Sequence, residues 1–120
     1  MKLLIVDDAE FIRLSMKKLL DESEFDFEYV EAANGRDAIR LYEQEKPDLV
    51  IMDITMPEMN GIEAVERIKE IDSNAKIIMC SSMGYQEKVV DAITAGAVDF
   101  IVKPYTADKI LDAIKKAARL

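Results

Sequence analysis

Histidine and tryptophan are absent from this chain, and its only cysteine is Cys80. Without histidine, neither a Ser–His nor a Cys–His nucleophile pair can form. A single cysteine excludes an internal disulfide framework. The same shortage argues against zinc, whose protein sites are built mainly from cysteine and histidine. The composition still allows a site for a hard cation, because such a cation can be bound by carboxylates alone.

Long apolar runs and basic clusters are also missing. No run reaches the roughly 18 residues of a membrane span, and the apolar stretch at the N-terminus is too short for a secretory signal. The formal charge is −8, from 16 Lys and Arg against 24 Asp and Glu, so we expect neither nucleic acid nor a membrane as a partner. The glycine-rich loops that cradle nucleotide phosphates are not found. These features predict a cytoplasmic protein.

What the chain does contain is a regular alternation of short apolar runs and segments of helical period. Its 120 residues, half of them hydrophobic, predict one domain over residues 1–120. In the first helix, Phe11, Leu14 and Leu19 share an apolar face with Ser15 and Lys18. The predicted strands are 3–7, 27–32, 48–53, 76–81 and 98–102, and the predicted helices are 10–22, 35–46, 61–72, 84–95 and 106–119.

The alternation predicts an α/β fold with a doubly wound, five-stranded parallel sheet of flavodoxin-like topology. Short connections and right-handed crossovers favour an open sheet, and five strands are too few for the eight-stranded barrel. The expected strand order is 2-1-3-4-5. That order places strands 1 and 3 side by side at the switch point, where such sheets bind their ligands.

Charged residues stand at the ends of three predicted strands. Asp7 and Asp8 end the first, Asp53 ends the third, and Lys103 follows the fifth. At the switch point the carboxylates would repel one another, by about 4 kcal/mol for a pair ~4 Å apart in a medium of effective dielectric near 20. A cation would relieve that repulsion. Mg²⁺ fits, because it accepts a few carboxylates and keeps waters that a phosphate can replace.

Each of these residues also has a plainer interpretation. Asp8 could cap the first helix, and Asp53 could be an ordinary turn residue. Lys103 could be a solvated loop lysine, and Ser81 a turn or cap residue at the end of strand 4. Taken together these interpretations are weaker, because the predicted topology would bring Asp7, Asp8, Asp53 and Lys103 to one edge of the sheet.

Four stretches together resemble the receiver domain of two-component response regulators, and the resemblance covers essentially the whole chain. It is specific because the four motifs occur in the same order and at the same spacing as in that family. Within the family the chain is most similar to single-domain chemotaxis regulators. The motifs are LIVDD at residues 4–8, MDITMPEMNG at 52–61, MCSS at 79–82 and FIVKPY at 100–105.

The resemblance implies a phosphoacceptor and a metal site. Asp53 is implied to be the residue that receives the phosphoryl group. Mg²⁺ is implied to bind Asp8, Asp53 and the backbone carbonyl of Thr55 directly. Asp7 is implied to complete the acidic pocket and to contact Mg²⁺ through a water molecule.

The resemblance also implies a switch. Ser81 would turn its hydroxyl toward the phosphoryl group, and Lys103 would pair with that group, with a cis peptide bond between Lys103 and Pro104. Phe100 would be the switch aromatic. Helix 4, strand 5 and helix 5 would then present a changed surface to an effector.

The implied function is a switch protein that takes phosphate from a histidine kinase of the chemotaxis type. Its effector would be the flagellar motor switch or another protein, and a phosphatase could reset it. It would catalyse only its own phosphorylation and dephosphorylation. Alternatives are a receiver from a larger regulator with a DNA-binding output domain, an aspartate-nucleophile phosphatase, and a flavodoxin-like cofactor carrier. The phosphatase reading is weakened by Thr55, where such enzymes usually need an acid.

Overall fold

Five strands and five helices alternate along the chain in the computed structural model, which describes residues 1–56, 59–82 and 86–118. The strands form one parallel sheet in the order β2-β1-β3-β4-β5, which confirms the predicted fold. The elements are β1 (Lys2–Val6), α1 (Glu10–Asp21), β2 (Glu28–Ala32), α2 (Gly35–Glu45), β3 (Leu49–Asp53), α3 (Gly61–Ile71), β4 (Ile77–Ser82), α4 (Gln86–Ala95), β5 (Asp99–Lys103) and α5 (Ala107–Ala118).

The predicted boundaries agree with these elements to within about two residues. Two differences bear on the site: β1 ends at Val6, so Asp7 follows the strand, and β5 includes Lys103. Residues 84, 85 and 119, which the sequence assigns to helices, lie outside the described residues. None of the helices in the described part of the chain is both long and apolar enough to cross a membrane.

The sheet separates two apolar layers, because successive side chains of a strand point to opposite faces. One layer, here called the α1/α5 face, includes Ile5, Ile51 and Ile101 and is covered by α1 and α5. The other, the α2–α4 face, includes Val50 and Met79 and is covered by α2, α3 and α4. Both are fully desolvated at their centres, as expected for a parallel sheet with helices on both sides.

The apolar face predicted for the first helix is wrong for Phe11 and Leu14, whereas Leu19 packs against the apolar layer of the α1/α5 face. Phe11 and Leu14 are 70% and 50% exposed, and the residues of α1 that are buried against the sheet are Met16 and Leu20. These two are four residues apart and therefore lie on one stripe of the helix.

Asn–Gly pairs start two of the helices. The side chains of Asn34 and Asn60 accept hydrogen bonds from the backbone N–H three residues on, which caps the first turns of α2 and α3. Gly35 and Gly61 are the first helical residues behind these caps. The predicted starts of these two helices, residues 35 and 61, are confirmed.

Candidate functional site

The alternation of side chains along the strands brings the predicted charged residues together. Asp7, Asp53 and Lys103 each stand two residues beyond an isoleucine of the α1/α5 face, namely Ile5, Ile51 and Ile101. They therefore continue that face past the end of its apolar layer. The site lies at the carboxyl end of the sheet, where strand order reverses between β1 and β3.

Lys103 bridges the two buried acids. Its Nζ lies 3.1 Å from Asp7 Oδ2, to which it donates a hydrogen bond, and 3.6 Å from Asp53 Oδ1. Asp7 and Asp53 are buried, whereas Asp8 is exposed. One carboxylate oxygen from each of the three aspartates can be chosen so that all three lie within 4.8 Å of one another. The convergence expected from the topology is thus present in the structure.

Burial changes the acidity of the groups at the site. Burial raises the pKa of Asp53 from 3.8 to about 6, with the charge of Asp7 adding to the rise and Lys103 opposing it. A backbone hydrogen bond from Thr55 also opposes the rise. Burial lowers the pKa of Lys103, but its attraction to Asp53 and its hydrogen bond to Asp7 outweigh this and leave the pKa raised. At neutral pH the site therefore holds a cation and a carboxylate whose ionisation is costly.

Neither of the first two aspartates caps α1. The N-cap position is Ala9, and within the described residues no side chain caps this helix. Asp7 instead accepts a hydrogen bond from the Ala9 N–H at 2.9 Å through its Oδ1, a local Asx turn. The capping interpretation of Asp8 is therefore wrong. Asp8 is instead the exposed member of the acidic cluster, beside the buried Asp7 and Asp53.

The donor set fits a hard divalent cation. Three carboxylates offer oxygen ligands, and an exposed member such as Asp8 leaves room for the waters that Mg²⁺ retains. Burial is the main cause of the raised pKa of Asp53, and the neighbouring Asp7 adds to it. A bound cation would lower that pKa. Thr55, whose carbonyl the resemblance places among the ligands, is exposed and lies two residues beyond Asp53.

The two predicted switch residues lie on the other face of the sheet. Ser81 is buried and follows Met79 on its strand by two residues, and Phe100 packs against the apolar layer of the α2–α4 face. The Ser81 hydroxyl donates a hydrogen bond to the Ser82 carbonyl at 3.1 Å. The Lys103–Pro104 peptide is cis, as the resemblance implies.

Cys80 lies under the site, paired across the sheet with Asp53. It is fully enclosed in the apolar layer of the α1/α5 face. Burial raises the pKa of its thiol to about 12. The thiol stays protonated at neutral pH and does not compete with Asp53 as a nucleophile.

Sequence reasoning missed two residues that shape the site. A Cβ built on Gly61 would lie 2.3 Å from the Asp53 carbonyl oxygen, so α3 begins against the backbone of the central aspartate. Arg13 donates a hydrogen bond from Nη1 to the Asp7 carbonyl at 2.6 Å. Gly61 entered the sequence analysis only as the last residue of the MDITMPEMNG stretch and the first of a predicted helix, and Arg13 carried no signal that sets it apart from other helix-surface arginines.

The sequence profile of the response regulator receiver domain matches residues 3–115. The chain belongs to the response regulator receiver family. This receiver is 56% identical over 115 residues to the chemotaxis protein CheY of Bacillus subtilis, covering 96% of this chain and 95% of the relative. It is 54% identical over 119 residues to CheY of Listeria monocytogenes, covering 99% of both chains.

A solved structure agrees with the sequence relatives. The receiver is similar, with a TM-score of 0.88 and 36% identity, to a chain in the crystal structure of the CheX–CheY–BeF₃–Mg²⁺ complex from Borrelia burgdorferi. The match covers 96% of this receiver and 87% of that chain. The receiver is thus a phosphorylatable response regulator of the chemotaxis type, a signalling protein rather than a classical enzyme. Receiver domains typically bind Mg²⁺ at an acidic pocket, which here is the cluster of Asp7, Asp8 and Asp53.

Proposed function

We propose that this receiver is a Mg²⁺-dependent switch, formed by one receiver unit over residues 1–120, whose phosphoacceptor is Asp53. The observation that carries the proposal is the buried Asp53 carboxylate, 3.6 Å from the ammonium of Lys103 and beside the second buried acid, Asp7. A nucleophilic carboxylate needs a nearby cation to receive the charge of the incoming phosphoryl oxygens. Lys103 supplies one such charge from the chain itself.

The second positive charge would come from the cation held by the acidic cluster. Asp8 and Asp53 would bind Mg²⁺ directly together with the Thr55 carbonyl, and Asp7 would contact it through water. When bound, Mg²⁺ supplies Lewis-acid stabilisation of phosphoryl oxygens. Two features of the chain support this assignment: the three converging carboxylates and the excess of acid over base at the site, where three aspartates face one lysine.

In the transfer step, an oxygen of Asp53 would attack the phosphorus of a phosphohistidine on the kinase. The P–O bond to Asp53 forms as the P–N bond breaks, and the imidazole leaves with the electron pair of that bond. Lys103 would turn one of its hydrogen bonds from Asp7 to a phosphoryl oxygen. Later attack by water on the phosphorus would return the carboxylate and release inorganic phosphate, so the receiver would catalyse both its own phosphorylation and its own dephosphorylation.

The switch would run from the site to the opposite face of the sheet. The Ser81 hydroxyl, which now bonds a neighbouring carbonyl, would turn to a phosphoryl oxygen, and Phe100 would fill the space that this movement opens. Such a change requires contacts that differ between the two states. The output surface would be α4, β5 and α5, where four apolar side chains are exposed: Val90, Ile93, Val98 and Val102.

The partners follow from the relatives. The similarity to chemotaxis CheY proteins supports a histidine kinase of the chemotaxis type as phosphodonor and the flagellar motor switch, or another effector, as target, all in the cytoplasm. The complex from Borrelia burgdorferi pairs a CheY with CheX. A comparable partner could act here as the phosphatase that resets the switch.

The test is incubation with a small phosphodonor, such as phosphoramidate, followed by intact-mass measurement and peptide mapping. We expect one phosphoryl group on Asp53 when Mg²⁺ is present and little or none with a chelator. A chain that gains no phosphate in Mg²⁺, or gains it at another residue, would contradict the proposal.

The metal assignment has its own test. Asp8→Ala removes a proposed ligand that is exposed, so the fold should survive. We expect Mg²⁺ affinity, measured by calorimetry, to fall at least tenfold, while the stability of the metal-free protein stays equal or rises because carboxylate repulsion is relieved. An unchanged titration would remove Asp8 from the ligand set.

A further inference from the structure

A three-residue connection, Asp7 to Ala9, carries two of the acids between β1 and α1. Arg13 reaches back from the first turns of α1 to this connection. Its Nη1 donates to the Asp7 carbonyl at 2.6 Å, and its Nε donates to Glu31 Oε1 at 3.0 Å. The Arg13 side chain is only 14% exposed. The guanidinium thus joins the connection to β2 through two separated donors, which is the geometry that distinguishes arginine from lysine.

The hydrogen bond from Arg13 to the Asp7 carbonyl also restrains the backbone of Asp8. The Asp7 carbonyl and the Asp8 N–H belong to one planar peptide unit, so fixing the carbonyl fixes the direction in which the chain enters Asp8. The other hydrogen bonds of the connection fall on either side of this unit. The Asp7 N–H donates to the Ala32 carbonyl, the Asp7 carboxylate accepts from Ala9 and Lys103, and the Ala9 carbonyl accepts from the backbone of α1. Asp8 itself is exposed and is not held by packing.

The ionic partner of Arg13 is Glu31, which lies outside the acidic cluster. Glu31, on β2, accepts hydrogen bonds from both Arg13 and Lys17, at 3.0 and 2.8 Å. The hydrogen bond from Lys17, with help from Arg13, lowers the pKa of Glu31, so this carboxylate stays ionised at neutral pH. Two cations share one anion, which leaves Arg13 held in place by an ionic partner that takes no part in the site.

We propose that Arg13 is a positioning residue for the cation site, which orients Asp8 by holding the peptide between Asp7 and Asp8. The inference rests on the Mg²⁺ site of the proposed function. It assigns Arg13 no contact with the metal or the phosphoryl group. Its role is to keep an exposed ligand aimed at the buried pair, Asp7 and Asp53.

The charge of Arg13 and its geometry predict effects of opposite sign. Loss of a positive charge beside an acidic site should strengthen the binding of a divalent cation. Loss of a hydrogen bond that orients a ligand should weaken it, typically by about 10-fold or more. The direction of the change in affinity therefore decides between the two roles.

The experiment compares Arg13→Met with Lys17→Met in Mg²⁺ titrations by calorimetry. Both variants lose one positive charge beside Glu31, but only the first loses the bond to the Asp7 carbonyl. We expect about 10-fold weaker binding for Arg13→Met and less than a twofold change for Lys17→Met. Unchanged or tighter binding by Arg13→Met, or an equal loss in both variants, would overturn the inference.

A folding measurement, a second variant and an amide-exchange measurement separate the role of Arg13 from a general loss of structure. Urea unfolding of the metal-free proteins shows whether Arg13→Met is folded, and Arg13→Lys provides a second variant that keeps the charge and has one donor group in place of two. We expect Arg13→Lys to bind Mg²⁺ more weakly than wild type, and full affinity in this variant would overturn the inference. In the metal-free protein, amide exchange at Ala9 should quicken in Arg13→Met and not in Lys17→Met.

The inference and the proposed function fail in different ways. If wild type binds no Mg²⁺, both are wrong. If wild type binds Mg²⁺ and Asp8→Ala does not, but Arg13→Met binds like wild type, the proposed metal site stands and the role of Arg13 is wrong.

Discussion

The two faces of the sheet have similar apolar interiors but end differently at the carboxyl edge. The α1/α5 face ends in charge, with Asp7, Asp53 and Lys103 joined by ion pairs of 3.1 and 3.6 Å. On the α2–α4 face, the uncharged Ser81 is the last residue but one of β4, and the half-buried Phe100 lies near the start of β5. The proposed chemistry therefore occupies one side of the sheet and the proposed reporters occupy the other.

This division has a structural consequence. A reporter on the far face can respond only through the strand ends that both faces share, because the sheet itself is closely packed. The backbone supplies short links of that kind: the Ile54 N–H donates to the Cys80 carbonyl at 3.0 Å, and the Gly61 N–H donates to the Ile54 carbonyl at 2.8 Å. A change at Asp53 is thus one residue away from bonds that hold β4 and α3.

The largest expected effect comes from removing the nucleophile on the charged face. Asp53→Asn keeps the shape of the side chain but has no nucleophilic carboxylate. We expect complete loss of phosphoryl uptake from a small phosphodonor, measured by intact mass, with the fold retained by circular dichroism. Phosphorylation of this variant at Asp7 or Asp8 would show that the charged face does not depend on Asp53.

The link between the two faces is tested at Lys103. Its ammonium can bond a phosphoryl oxygen only when that oxygen is present, so its contribution differs between the two states. We expect Lys103→Ala to accept phosphate slowly and to leave the amide signals of Phe100 and α4 nearly unmoved on addition of beryllofluoride and Mg²⁺. Wild-type shifts in this variant would show that the faces communicate without Lys103.

A matched lysine serves as the control. Lys116 of α5 pairs with Asp112 in an exposed i,i+4 ion pair and lies beside Asp99, at the amino end of β5 and away from the carboxyl end that carries the site. Lys116→Ala should respond to beryllofluoride as wild type does. A loss of response in both variants would point to a general effect of charge.

The buried acid of the charged face should make stability depend on pH. The pKa of Asp53 is about 6 in the folded protein against an ordinary 3.8, so the folded state holds this proton more tightly than the unfolded state does. The contribution of this group to stability is present below pH 4 and is lost as the pH rises through 6. A shift of this size corresponds to about 3 kcal/mol at most.

We therefore expect metal-free Asp53→Asn to be more stable than wild type at pH 8, with the difference shrinking toward zero near pH 4. Urea unfolding with a chelator present measures both proteins across this range. A difference that stays constant with pH would mean that Asp53 is not the group whose ionisation is costly. Addition of Mg²⁺ at pH 8 should reduce the difference in stability between Asp53→Asn and wild type, because a cation favours the ionised carboxylate of wild type.

The smallest expected effect concerns the close contact between Gly61 and the backbone at the end of β3. A methyl group on Gly61 would meet the Asp53 carbonyl at 2.3 Å and the Ile54 Cα at 2.9 Å, and backbone atoms cannot yield without moving the strand end. We expect Gly61→Ala to cost about 2 kcal/mol in urea unfolding and to slow phosphorylation. The matched control is Gly35→Ala, whose added methyl group would meet the Met59 side chain at 3.0 Å and the Met59 carbonyl oxygen at 3.1 Å, both longer than the contacts at Gly61. Equal costs in the two variants would contradict the close approach.

The sequence by itself determined the fold and which charged residues meet at one edge of the sheet. Apolar runs of strand length, separated by segments of helical period, are compatible with few arrangements other than a parallel sheet covered on both faces. Right-handed crossovers and short connections favour an open, doubly wound sheet, and the strand order 2-1-3-4-5 brings Asp7, Asp53 and Lys103 to one edge. These features depend on local pattern and chain connectivity, which a sequence carries directly.

Tertiary structure decided what depends on the relative placement of elements. Asn34–Gly35 and Asn60–Gly61 are the same dipeptide with the same cap, yet only the second glycine is pressed against Asp53. Which stripe of α1 turns inward depends on how the helix lies across the sheet. The raised pKa of Asp53 and the bond from Arg13 to Asp7 arise from burial and distances of a few ångströms between separate elements. Those quantities exist only after the chain has folded, because no local pattern in the sequence encodes them.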